Sequence, residues 1–158
     1  MSRTPRLAAV AAASAAAVAL TASPALAWTG GAVSASTGPV GSCANVVLNG
    51  SVTPAGALTV AAVSFISCTP QPVPQSLPWA GSITDGGGAA ALGVRVSVPI
   101  PGGSCTYGGT LTGTNTAAPA PVTISFPAQT INKVAGSFLC PNTIQTSPAQ
   151  LVLTGPGI

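Results

Sequence analysis

Histidine is absent from this chain, and Asp85 is its only acidic side chain. Those two gaps remove most hydrolytic chemistry. A Ser-His-Asp or Cys-His arrangement cannot be assembled without an imidazole. The paired carboxylates that flank a scissile glycosidic bond are missing. Metal sites built from imidazole and carboxylate lack their ligands, and a lone Asp85 falls short of the six to eight oxygens that Ca²⁺ collects. Cations are nearly as scarce, with four Lys and Arg in 158 residues, too few for a nucleic-acid footprint or a polybasic lipid-binding patch. Gly86-Gly87-Gly88 is not followed by Lys-Ser or Lys-Thr, so it is a turn and not a phosphate loop. Lys133 could in principle pair with a serine, but a solvated lysine at a strand end is the expected role. No catalytic, cofactor-binding or metal-binding residue is assigned, and the chain is expected not to be an enzyme.

Long apolar runs are also missing. The longest, Leu7 to Leu20, is mostly alanine and shorter than the roughly 20 residues that a spanning helix needs. It follows Arg3 and Arg6 and precedes Ala25-Leu26-Ala27, the layout of a cleaved signal peptide. Residues 1–27 are therefore expected to be removed, leaving residues 28–158 as one secreted domain with no transmembrane segment. Arg95 and Lys133 then stand against Asp85, a net charge of +1.

What is present is sulfur and alternation. Cys43, Cys68, Cys105 and Cys140 are an even set with none close to another, which favours two disulfides over a zinc site. Period-two patterning marks strands: Ala44–Val52, Leu58–Ile66, Ser82–Thr84, Ala91–Ile100, Cys105–Gly113, Val122–Phe126, Gly136–Cys140 and Gln150–Thr154. In the first pair, placing Cys43 opposite Cys68 sets Val46 against Phe65 and Leu48 against Val63. One extra residue near Ala61-Ala62, a bulge, then brings Val52 to Leu58. This register favours Cys43–Cys68, with Cys105–Cys140 as the second bridge, although four cysteines allow three connectivities. Asn49-Gly50-Ser51 matches a glycosylation sequon but falls inside a strand and is discounted. Asn115 to Pro121 reads as a linker.

Seven to nine short strands separated by turns predict an all-β domain, an immunoglobulin-like or Greek-key β-sandwich, with a small β-barrel as the alternative. Trp79, after a Pro/Gln-rich loop, is expected either to plug one end of the sandwich or to line an apolar binding surface.

The order of these pieces resembles a known family. A cysteine precedes a hairpin and a second cysteine follows it. Leu77-Pro78-Trp79, Val94-Arg95-Val96-Ser97-Val98, Gly103-Ser104-Cys105-Thr106-Tyr107-Gly108-Gly109-Thr110-Leu111 and Cys140-Pro141 come next. This looks like the secreted alkane-oxidation activator (PraB-like) proteins and related small exported proteins of high-GC actinobacteria. The resemblance spans most of residues 43–154 and brings no catalytic residues. It implies an extracellular or wall-associated protein that helps cells contact or take up hydrophobic compounds. A ligand-binding module with an apolar cleft and a structural envelope component are the alternatives. The expected partners are hydrophobic small molecules or the cell-envelope surface.

Overall fold

The computed structural model describes residues 28–118 and 121–158. The expected signal segment and part of the Asn115–Pro121 linker lie outside these residues. The strands, in chain order, are β1 (Gly31–Ser36), β2 (Asn45–Val52), β3 (Ala57–Ile66), β4 (Val73–Pro74), β5 (Trp79–Ile83) and β6 (Gly88–Ile100). They continue with β7 (Gly103–Asn115), β8 (Val122–Phe126), β9 (Thr130–Gly136), β10 (Thr143–Gln145) and β11 (Ala149–Thr154).

The β2–β3 hairpin has the register that its apolar pairs demand. Val46 faces Phe65, Leu48 faces Val63 and Val52 faces Leu58, with the shift between Asn49 and Gly50 leaving Ala61 as the extra residue. Both expected disulfides are formed, Cys43–Cys68 and Cys105–Cys140.

The architecture corrects the sandwich expectation. β1 pairs with β2 on one side and β11 on the other. β11 pairs with β8, β8 with β7, β7 with β6, and β6 returns through β5 and β3 to β2. The ring closes as an antiparallel eight-stranded barrel, with β4, β9 and β10 branching from it. Alternation could not decide this, because inward-facing residues recur at period two in sandwich and barrel alike. Closure needs strong local coiling, which bulges and glycines provide. A Cβ at Gly50 would collide with the Thr59 carbonyl, and one at Gly113 with the Ser125 carbonyl, so neighbouring strands approach there as no other residue allows.

β1 was unexpected, because Gly31-Ala32-Val33-Ser34-Ala35-Ser36 contains one β-branched residue. The expected strand Gly136–Cys140 is instead a turn, in which the Cys140 amide donates to the Ser137 carbonyl. Asn115, taken for linker, ends β7 and is buried. Its amide group donates to the Thr84 and Thr116 carbonyls and accepts from the Thr84 N–H, standing in for a strand partner.

Strand direction defines two ends. The β2–β3 turn, the Thr84–Gly87 turn and the start of β8 lie at the floor end. The β6–β7 turn, the β9–β10 turn and Cys43–Cys68 lie at the mouth end. β6 spans this height, on the order of 40 Å along the strand.

Inside the floor half, Trp28, Val122, Ile124 and Leu153 are fully buried. The void among Leu48, Leu58, Leu92 and Leu153 is only about 10 Å³, room for at most one water. Outward positions such as Ser34, Asn49, Ser51, Thr59, Thr112 and Thr114 are exposed. Apolar inside and hydroxyl-rich outside is the reverse of a membrane-spanning barrel. Among the described residues, no helix is long and apolar enough to cross a membrane.

Candidate functional site: an apolar cleft at the barrel mouth

The wall that is continuous at the floor divides toward the mouth. β1 and β11 pair no further up than Ser36 and Val152, and β3 and β5 no further than Val60 and Trp79. Above that level, β1 has ended and β2 and β3 form one flap. The long β6–β7 hairpin, with β9 and β10 beside it, forms the other.

Two crossing segments close the sides. Residues 37–44 are braced by the reciprocal Val40–Cys43 backbone bonds and by Asn45, whose side-chain oxygen accepts from the Gly38 amide at 2.9 Å. Gly41 in this segment lies beside Ser147, so that a Cβ there would press on its hydroxyl. Residues 67–78 cross from β3 to β5. The Gln71 side-chain amide donates to the Phe65 carbonyl at 2.7 Å, and the Gln75 backbone N–H donates to the Arg95 carbonyl at 2.8 Å.

Pro127 lies in the break between β8 and β9, and Pro148 in the break between β10 and β11. Gln129 repairs the lost pairing. Its side-chain oxygen accepts from the Thr112 N–H at 2.8 Å, and its side-chain nitrogen donates to the Thr112 carbonyl at 2.8 Å. Thr146 does the same from the opposite side, bonding both the N–H and the carbonyl of Gln129.

Between the flaps lies a cleft of about 330 Å³, within the size range of small-molecule sites. Leu48, Trp79, Leu92, Phe126 and Leu151 make its floor and are shared with the barrel core. Val46, Phe65, Val94, Val96, Leu111 and Ile144 make its walls and are half-buried, apolar surface left in contact with solvent. Hydroxyls enter only through Thr37, Ser42, Thr146 and Ser147, and no charged side chain lines the cleft. Two wider depressions, of about 770 and 500 Å³, lie on the outer wall around Pro127–Pro148 and around Arg95–Thr110. They are open grooves lined largely by Ser, Thr, Gly, Ala and Pro, with Phe126 in the first and Trp79, Val94 and Arg95 in the second, and the smaller cleft is the better candidate because large apolar side chains from both flaps line it.

The expected site residues distribute unevenly. Trp79 does not plug an end of the barrel; it is buried in the core and lines the cleft, with its indole N–H donating to the Gln75 carbonyl at 2.8 Å. The floor is plugged by Trp28, packed beside Gly56. Cys43 sits at the cleft rim, and its bridge to Cys68 ties the ends of β2 and β3 together. Cys105–Cys140 fastens the β9–β10 turn to β7, within a small second core containing Tyr107 and Ile131. Asp85 is exposed in a floor-end turn, and Asn49 of the sequon is exposed on β2. The Lys133 ammonium donates to the Ser137 and Cys140 carbonyls, at 3.5 and 3.2 Å, so it braces a turn. Phe65, Ile131 and Ile144 were not foreseen as site residues. Ile131 and Ile144 face each other across the β9–β10 hairpin, and only the closed topology brings that pair to Phe65 of β3.

No known protein family, no curated protein and no solved structure matches the chain.

Proposed function

We propose that this protein is a secreted, non-catalytic binding protein that takes an uncharged apolar small molecule into its barrel mouth and so aids contact with hydrophobic compounds such as alkanes. One observation carries the reading: a cleft whose walls are Val, Leu, Ile and Phe and whose lining includes no titratable group. Burying that wall area against a ligand is favourable by roughly 25 cal/mol per Å². A charged ligand would lose its hydration with no counter-charge to receive it. Two disulfides suit export to an oxidising compartment. The family resemblance of residues 43–154 points the same way, and the lack of imidazole and paired carboxylates supports binding without chemistry.

Trp79 supplies the assay. Its emission should change as a medium-chain alkane or alkanol is added. The carboxylate of equal chain length should bind roughly tenfold more weakly or worse. Trp79→Phe should remove the signal, and Ile144→Asp should remove the binding. An unresponsive spectrum, or a preference for the carboxylate, would overturn the proposal.

A further inference from the structure

The turn between β9 and β10 carries Phe138, 90% exposed, followed by Leu139, 66% exposed. Two adjacent large apolar side chains on a loop tip are costly to hold in water, and a floppy loop would fold them against the body. This one is held outward. The Ser137 amide bonds the Ser104 carbonyl, and the Leu139 amide bonds the Ser137 hydroxyl at 3.2 Å. Lys133 bonds two carbonyls of the turn from below, and the Cys105–Cys140 bridge fixes the loop one residue beyond Leu139. Val134, 48% exposed, lies on the strand leading to the tip. The tip stands at the mouth end, because β9 leaves Cys105 and rises past the level where Val98 faces Cys105.

We infer that Phe138 and Leu139 are an interfacial anchor that inserts into a fluid lipid surface and sets the cleft mouth against it. A projecting two-residue wedge suits a deformable apolar phase, which needs no matching pocket. Membrane-lying segments likewise bury their large apolar side chains at the headgroup–acyl boundary. The placement of charge fits the same surface. Arg95 and Lys133 both lie in the mouth half, on β6 and β9, while Asp85, the only acidic side chain in the sequence, lies in the floor-end turn. Two cations are no polybasic patch. Their task is to turn the mouth toward an anionic leaflet as the molecule approaches, and the apolar pair then holds it there. The inference concerns where the protein docks and is separate from what its cleft binds.

The test uses the folded, oxidised protein and sedimentable vesicles of phosphatidylcholine with about one-third phosphatidylglycerol (roughly the anionic content needed for a negative surface potential). The wild type should partition to the vesicles. Phe138→Ser/Leu139→Ser should lose at least tenfold in partitioning while keeping its thermal midpoint and its lipid-free binding of alkanol. Replacing phosphatidylglycerol with phosphatidylcholine should cost only a few-fold. Phe138→Trp should blue-shift on vesicle addition. Equal sedimentation of wild type and double variant would overturn the anchor, as would failure of the wild type to bind either vesicle. So would a lipid-free dimer that the double variant abolishes, since the tip would then be covered by a second copy. Loss of alkanol binding with vesicle binding intact would instead strike the cleft proposal alone.

Discussion

The floor and mouth halves of the barrel share the same strands yet are stabilised by different means. At the floor, the ring is complete and the interior is filled by Trp28, Val122, Ile124 and Leu153. At the mouth, apolar side chains of the same kind line an open cleft. Both disulfides lie there, together with the Gln71 amide group that bonds the Phe65 carbonyl. A barrel that keeps its own side chains packed needs no staples. One that leaves apolar walls apart gives up that packing and must recover rigidity from covalent and polar links.

The largest effect should come from the floor. Trp28→Ala should destabilise the fold by about 3–5 kcal/mol, read by denaturant or thermal unfolding, while leaving alkanol affinity per folded molecule nearly unchanged. A loss of only a few tenths would mean that the floor is not the stabilising half. Next come the mouth staples. Replacing Cys43 and Cys68 together by serine, or Cys105 and Cys140 together, should cost about 3–4 kcal/mol for each bridge on loop entropy. Hydrogen exchange should then rise first at Val94 to Ile100 and leave the amides of Leu92 and Ile124 protected. Uniform loss of protection would erase the distinction between the halves. The smallest stability change belongs to the cleft wall. Val96→Thr should shift stability by less than about 1.5 kcal/mol, because the position is only half-buried. It should nevertheless weaken alkanol binding several-fold in titration.

Legibility followed the same division. The β2–β3 register, its bulge and the Cys43–Cys68 bridge could be derived from matched apolar pairs, because hairpin partners are neighbours in sequence, and Cys105–Cys140 was the pair left over. The long alternation of Leu92 to Ile100 placed β6 and the inward face that the cleft later uses. What stayed hidden was non-local. Ring closure depends on β1 joining β11, and β1 is mostly Ala, Ser and Gly with no signal of its own. β8 and β9 both pair with β7, but Pro127 and the polar Gln129, Thr130, Asn132 and Lys133 disguise the second of them. Trp79 was flagged as a possible binding residue from its loop context. Phe65 read as an ordinary strand residue, and Ile131 and Ile144 lay outside every expected strand, until the topology set all three around one opening.

The two indoles have a spectroscopic consequence. Trp28 is sealed at one pole of the barrel and Trp79 sits beneath the opening at the other, so the intrinsic emission has two independent channels. Single-indole variants would give each pole its own clock. In a stopped-flow unfolding trace, a molecule that unzips from its opening would redden at Trp79 before Trp28, whereas one that collapses as a unit would redden at both together.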